Sequence, residues 1–131
     1  EDWLVRNEKM NKSFVCAHPE GRKDARLAKL RYRILCPTER YWLVEVELLT
    51  GRHHQIRCQL AAHGAIIKGD LKYGAPRSNR DGSISLMARH VSFIHPVKKT
   101  PLHLTAPVPS GWNGVPDGPA DPSAPCTTVP E

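Results

Sequence analysis

The sequence predicts an α+β fold, a mainly antiparallel, mixed sheet with one packed helix. Three observations predict it. Two runs of alternating apolar and polar residues, Leu27–Leu35 and Tyr41–Leu49, are separated by a short turn. A segment of helical character follows at His53–His63. Two further strand-like runs, Val91–Ile94 and Leu102–Ala106, end the patterned part of the chain. Alternation of period two marks a half-buried strand, and a 3.6-residue period marks a helix.

Residues 1–26 read as a polar, irregular lead-in, with Glu20-Gly21-Arg22-Lys23-Asp24 as an exposed loop. In the first run, Ala28, Leu30, Tyr32 and Ile34 alternate with Lys29, Arg31 and Arg33. That gives a strand with a basic outer face. Cys36-Pro37-Thr38-Glu39 is a turn. In the second run, Trp42, Val44, Val46 and Leu48 alternate with Leu43, Glu45 and Glu47. Such strands pair antiparallel, and the Arg/Lys row then faces the Glu row. Tyr32 and Trp42 are expected in the core.

Thr50-Gly51-Arg52 breaks the strand. The helix over His53–His63 places Ile56 and Leu60 four apart, as core residues, and Ala61 and Ala62 favour it. Gly64 is placed to stop it in the left-handed conformation. Ala65-Ile66-Ile67 reads as a short buried strand, and Gly69–Gly74 as a turn or one helical turn. Pro76–Gly82 is a polar loop, and Pro96–Thr100 turns the last two strands. Residues 107–131 hold seven prolines and little apolar content beyond Trp112, and are expected to be disordered. The organisation is therefore a lead-in (1–26), a domain body (27–106) and a tail (107–131).

A chain of 131 residues provides one modest core. No apolar run exceeds four residues, against ~20 for a membrane-spanning helix, so no membrane partner is expected. The acidic start, Glu1-Asp2-Trp3-Leu4, has no apolar signal region. All 19 basic residues lie within 1–99, which carries a net +9, and residues 100–131 carry −3. A basic body of this kind suits a polyanionic partner such as nucleic acid. Cys16, Cys36, Cys58 and Cys126 form no close pair, as reduced, cytoplasmic cysteines do. Seven histidines include no H-x-x-x-H pair, and adjacent His53 and His54 diverge by about 100° on a helix. No metal is expected.

Leu49–Arg57 carries the most chemistry. A strand ends, Gly51 permits a tight turn, and a helix N-terminus presents unpaired N–H groups that favour an anion. Arg52 precedes that terminus and Arg57 projects from the helix. His54 and Gln55 are candidate site-wall residues. Lys68, Lys72 and Arg89 are candidate phosphate contacts. Tyr73 is expected to pack, with its hydroxyl bonded to backbone.

Three motifs then become specific. Thr50-Gly51-Arg52-His53-His54-Gln55-Ile56-Arg57 resembles the T-G-R-x-H-Q-[IL]-R motif of the RluA family of RNA pseudouridine synthases. Gly64–Gly74 resembles that family's G-x-P-[IL]-x-G-D-x-x-Y-G, and Leu86–Pro96 its L-H-A-x-x-L-x-F-x-H-P. The resemblance spans roughly residues 25–108, in the family's order. It implies isomerisation of uridine to pseudouridine in ribosomal or transfer RNA, without metal or organic cofactor, on a base flipped into a pocket. It also implies an essential aspartate paired with a basic residue, here Arg57. A paired carboxylate stays ionised and aimed. Arg52, His54, Gln55, Lys68, Lys72 and Arg89 are the implied RNA contacts.

The chain departs from the pattern in several places. The family's H-R-L-D motif, with its aspartate, and its K-x-Y-x-A-type tyrosine strand do not occur in these residues. The expectation is a C-terminal part of a catalytic domain, inactive alone, or a non-catalytic RNA-binding module derived from one. Asp70 is a remote candidate for the nucleophile, and Asp2 and Asp24 lack supporting residues. Met87 stands where the family has histidine, Ala65 where it has proline, and His53 where Thr or Ser is frequent.

Overall fold

The computed structural model describes residues 1–37, 40–109 and 112. Its strands are β1 (Asp2–Asn7), β2 (Lys12–Val15), β3 (Arg26–Ala28), β4 (Leu30–Pro37), β5 (Trp42–Leu48), β6 (His90–Ile94) and β7 (Pro101–Thr105). One helix, α1 (Gln55–Ala62), follows β5, and a 3-10 turn covers Leu71–Tyr73. The architecture is α+β, as the alternation and helical patterns predict. The chain divides into two units: Glu1–Tyr32 with Val46–Leu86, and Arg33–Glu45 with the residues from Met87 onward.

The first unit holds the sheet β2-β1-β3, with both neighbours antiparallel to β1. α1 packs on β2 and on the 3-10 turn. Leu4, Ala28, Cys58 and Tyr73 form the buried cluster, with Ala61 against it. This corrects the reading of residues 1–26 as irregular, because β1 and β2 lie there. Their signal is faint because the sheet buries few large side chains. In β1 only Leu4 is fully buried, while Trp3 is 40% exposed. In β2 the buried residue is Ser13, which carries no hydrophobic period.

The predicted strand Leu27–Leu35 is two strands. β3 ends at Ala28 and pairs with β1, whereas β4 begins at Leu30 and pairs with β5. Lys29 marks the break: its N–H and C=O bond Thr50 Oγ1 and the N–H groups of Leu49 and Thr50. The expected cross-strand charges are present, with Arg33 Nη2 3.1 Å from Glu45 Oε1 and Arg31 Nη1 3.9 Å from Glu47 Oε2. The pairs advance in opposite directions along the strands, as an antiparallel ladder requires. Tyr32 and Trp42, expected in the core, are instead 64% and 46% exposed. Alternation sets a strand's two faces but does not decide which one is covered.

α1 is shorter than predicted and turns a different face inward. Gln55, Cys58 and Gln59 are buried, while Ile56 and Leu60 are half-buried. Hydrogen bonds make the glutamines acceptable there: Gln55 Nε2 donates to the Lys29 carbonyl at 2.9 Å, and Gln59 Nε2 to Asp2 Oδ2 at 2.8 Å. Gly64 has φ +82°, the left-handed stop its position predicts. Ala65-Ile66-Ile67 is not a strand, and Ile66 is 40% exposed. The turn after it needs Gly69, at φ +85°; a Cβ there would meet the Ser83 carbonyl at 2.7 Å.

In the second unit β6 and β7 pair antiparallel, from His90↔Thr105 to Ile94↔Pro101. The turn over residues 96–100 lies where the prolines and lysines predict it. The expected disorder of 107–131 falls, beyond residues 107–109 and 112, outside the described residues.

Candidate active site

The segment from Thr50 to Arg57 is braced through one side chain. Gln55 Oε1 accepts hydrogen bonds from the Arg52 N–H at 3.0 Å and the Thr50 hydroxyl at 2.8 Å. Arg52 Nε donates to the Leu27 carbonyl at 2.9 Å. Arg52 and Gln55 thus tie the loop to the end of β3. His54 precedes α1 in the left-handed conformation, φ 51° and ψ 29°, and its carbonyl accepts the Cys58 N–H at 2.8 Å. A non-glycine residue in that region costs on the order of 1 kcal/mol, and it aims the His54 ring sideways from the helix start.

Arg57 projects from α1 onto Asp70. Nε lies 2.9 Å from Oδ2 and Nη2 2.7 Å from Oδ1, a two-pronged pair. The Asp70 side chain is 1% exposed and that of Arg57 19%. Asp70 is held by the Gly69 turn. The hydrogen bond to Asp70 raises the Arg57 pKa, against the effect of burial, so the guanidinium is always charged. Within these residues, therefore, the carboxylate on Arg57 is Asp70. Arg57 also stacks on Tyr73, its Cζ 5.0 Å from the ring centre.

The remaining edge of Arg57 fixes a proton. Nη1 lies 3.1 Å from His54 Nε2. Arginine only donates, so this ring nitrogen carries no proton. The proton sits on Nδ1, which donates to Tyr73 Oη at 2.9 Å. Tyr73 Oη also accepts the buried Ser13 N–H at 2.9 Å, the backbone bond expected of it. Two donors then fill the phenol oxygen, and its own O–H remains a donor. Burial, then the charges of Arg57, His53 and Lys72, hold the His54 pKa below its ordinary value, with Asp70 opposing.

His53 stacks on His54, ring centres 3.8 Å apart. Its Nδ1 is 2.9 Å from Ser13 Oγ and its Nε2 3.0 Å from Asn11 Oδ1. Lys72 Nζ donates to the Asn11 carbonyl at 3.1 Å. Lys68 is exposed on the loop after α1. Arg89 lies in the other unit, where its Nη1 donates to the Ala106 carbonyl. The structure thus brings together Arg57, His54 and Lys72, makes Arg52 and Gln55 braces of the same loop, and places Lys68 on an exposed loop. Asn11 and Ser13 escape sequence reasoning, because their strand signal is weak and their contacts span about forty residues. Among the described residues no three His, Cys, Asp or Glu side chains gather to hold a metal ion.

A family model described as RNA pseudouridylate synthase matches residues 3–62. An uncharacterized RNA pseudouridine synthase of Chloroflexus aurantiacus is 40% identical over 88 residues, 66% of this chain and 28% of the relative. The tRNA pseudouridine synthase C of Salmonella typhi is 39% identical over 83 residues, 58% of this chain and 32% of the relative. The ribosomal large subunit pseudouridine synthase D of Zymomonas mobilis is 28% identical over 108 residues, 76% of this chain and 33% of the relative. The chain spans about a third or less of the length of these relatives. No solved structure matches it.

Proposed function

Because the chain belongs to the RluA family of RNA pseudouridine synthases, we propose that the protein isomerises uridine to pseudouridine in structured RNA, transfer or ribosomal, in the cytoplasm. In that reading Arg57 is the basic partner of the reacting carboxylate. Arg52, His54, Lys68, Lys72 and Arg89 contact RNA, Gln55 acts from its buried position by bracing the loop that carries Arg52, and no cofactor takes part. The observation that carries the reading is the fixed pose of Arg57. Asp70 holds Nε and Nη2 in one plane, and Nη1 faces the neutral His54. A preoriented guanidinium of that kind can aim a second carboxylate at a flipped base.

The H-R-L-D aspartate of the family does not occur among these 131 residues. Asp70 is fully buried under Arg57, a poor pose for attack on a nucleoside. The chain alone is therefore expected to be inactive. The test is tritium release from RNA labelled at C5 of uridine, since forming the C5 glycosidic bond expels that hydrogen. Release by a protein that joins this chain to an H-R-L-D segment, abolished by Arg57→Ala, is the expected result. Release by the 131-residue chain alone overturns this assignment and makes Asp70 the nucleophile. RNA binding with no release in either form favours the non-catalytic module.

A further inference from the structure

We propose that Arg6, Lys12 and Lys72 form a binding site for RNA backbone phosphate on the β1–β2 hairpin, beside His53. This deepens the RNA reading above and rests on it. Register places Arg6 opposite Ser13, and Ser13 Oγ lies 2.9 Å from His53 Nδ1. Lys12 Nζ stands 5.2 Å from the centres of both the Phe14 and Tyr73 rings. Lys72 Nζ reaches the same hairpin through the Asn11 and Met10 carbonyls, which leaves one ammonium proton for another acceptor. Arg6 and Lys72 therefore act on His53, and Lys12 lies over Tyr73, whose hydroxyl bonds His54.

Among the described residues Arg6, Lys12 and Lys72 lack counter-ions, and register and contacts bring all three to one hairpin. Arg22, Arg31, Arg33 and Arg57 each face a carboxylate, and Lys29 faces Glu1. Among the described residues no carboxylate lies within ion-pair distance of Arg6, Lys12 or Lys72. Their charge also reaches the site: after burial, Arg6, Arg57 and Lys72 hold the His53 pKa below its ordinary value. Cations without carboxylate partners on one hairpin suit a multiply charged anion. An open cavity of about 610 Å³ adjoins the hairpin and is lined in part by Arg6, Lys9 and Phe14. Glu8 and Asp24 line it too, and Asp24 is neutralised by Arg22. Phosphate contacts position a nucleic acid without reading its sequence. The site would hold the strand while Arg57 and His54 face the target base.

The experiment is fluorescence anisotropy of a labelled RNA hairpin bound to the 131-residue chain, titrated between 50 and 300 mM salt, about the range over which phosphate contacts are read. Each lost contact lowers the salt slope by roughly 0.7–0.9, so R6A/K12A should lower it by about 1.5. K98A/K99A removes the same charge from the β6–β7 turn and should leave the slope near wild type. R6K/K12R keeps the charges and should keep the slope. Equal slopes for R6A/K12A and K98A/K99A overturn this site and leave the RNA reading intact. No RNA binding by the wild-type chain overturns both. Loss of fold in R6A/K12A would show in its circular dichroism, and a lowered slope for K12A alone, folded, then decides for the site.

Discussion

Arg57 and Asp70 meet through two parallel hydrogen bonds, at 2.9 and 2.7 Å, with the carboxylate 1% exposed. The pair joins α1 to the turn at Gly69, 13 residues further along the chain. It also decides the direction of every bond beyond it. Because Asp70 takes the Nε and Nη2 side of the guanidinium, Nη1 is left to face His54. That contact places the His54 proton on Nδ1, and Nδ1 in turn donates to Tyr73. One buried carboxylate thus orients an arginine, a histidine and a tyrosine.

Asp70→Asn should cost on the order of 2–4 kcal/mol. Breaking a buried ion pair from one side strands the other charge, and the partial exposure of Arg57 reduces the loss. Urea unfolding measures it. Replacing both partners with Arg57→Met and Asp70→Leu should recover part of the loss, since no lone charge remains. A D70N variant as stable as wild type would deny the pair its structural role.

Tyr73→Phe should destabilise by about 1–3 kcal/mol, because the buried Ser13 N–H loses its acceptor. Ring packing on Arg57 and the core is kept, so the effect isolates the oxygen. Denaturant midpoints of wild type and variant give the value. Hydrogen exchange at the Ser13 amide should also accelerate.

The sequence discloses some of this and hides the rest for physical reasons. The β4–β5 charge match, the helix after Gly51 and the stop at Gly64 are local patterns, and each is legible. Arg57 and His54 stand out because they sit in a recognisable motif. Their supports do not. Ser13 and Asn11 come from strands that bury little apolar surface, so no hydrophobic period marks them. The helix face is misread because Gln55 and Gln59 are buried through hydrogen bonds, which hydropathy cannot register. Tyr32 and Trp42 look like core residues and are exposed, because strand alternation does not say which face is covered. Asp70 is visible in its turn, but its pairing with Arg57 is a tertiary fact.

Cys58 should resist alkylation. It is 3% exposed, and burial, then the charge of Asp2, pushes its thiol up to about 11. The thiolate is the reactive form, and at pH 8 that shift alone slows reaction about 100-fold. Cys16 and Cys36 are half-buried and should label first. Mass spectrometry of iodoacetamide-treated protein, with time points in native buffer and in urea, separates the sites. Cys58 labelling at the rate of Cys16 in native buffer would contradict the packed core.

Stability should fall as the pH drops below about 7, through the histidine pair. Burial comes first among the causes that lower the His53 and His54 pKa values, followed for His53 by Arg6 and for His54 by Arg57. The unfolded histidines protonate near 6.5, their ordinary value, and the folded ones only at lower pH. Between those points the unfolded state binds more protons, so acidification favours unfolding. The loss begins near pH 7 and levels off once the folded pKa values are passed. The Arg57 share of that shift is the cost of setting a second cation, protonated His54, beside the guanidinium. Asp2, whose pKa is lowered from 3.8, loses its stabilising contribution only at more acidic pH, below this window. The melting temperature of wild type should therefore drop between pH 7 and pH 5, and that of a His53→Gln/His54→Gln variant should drop less. Glutamine keeps a neutral hydrogen-bonding group in both positions but cannot titrate. Equal drops in the two proteins would assign the acid sensitivity to other groups and contradict the neutral state assigned to His54.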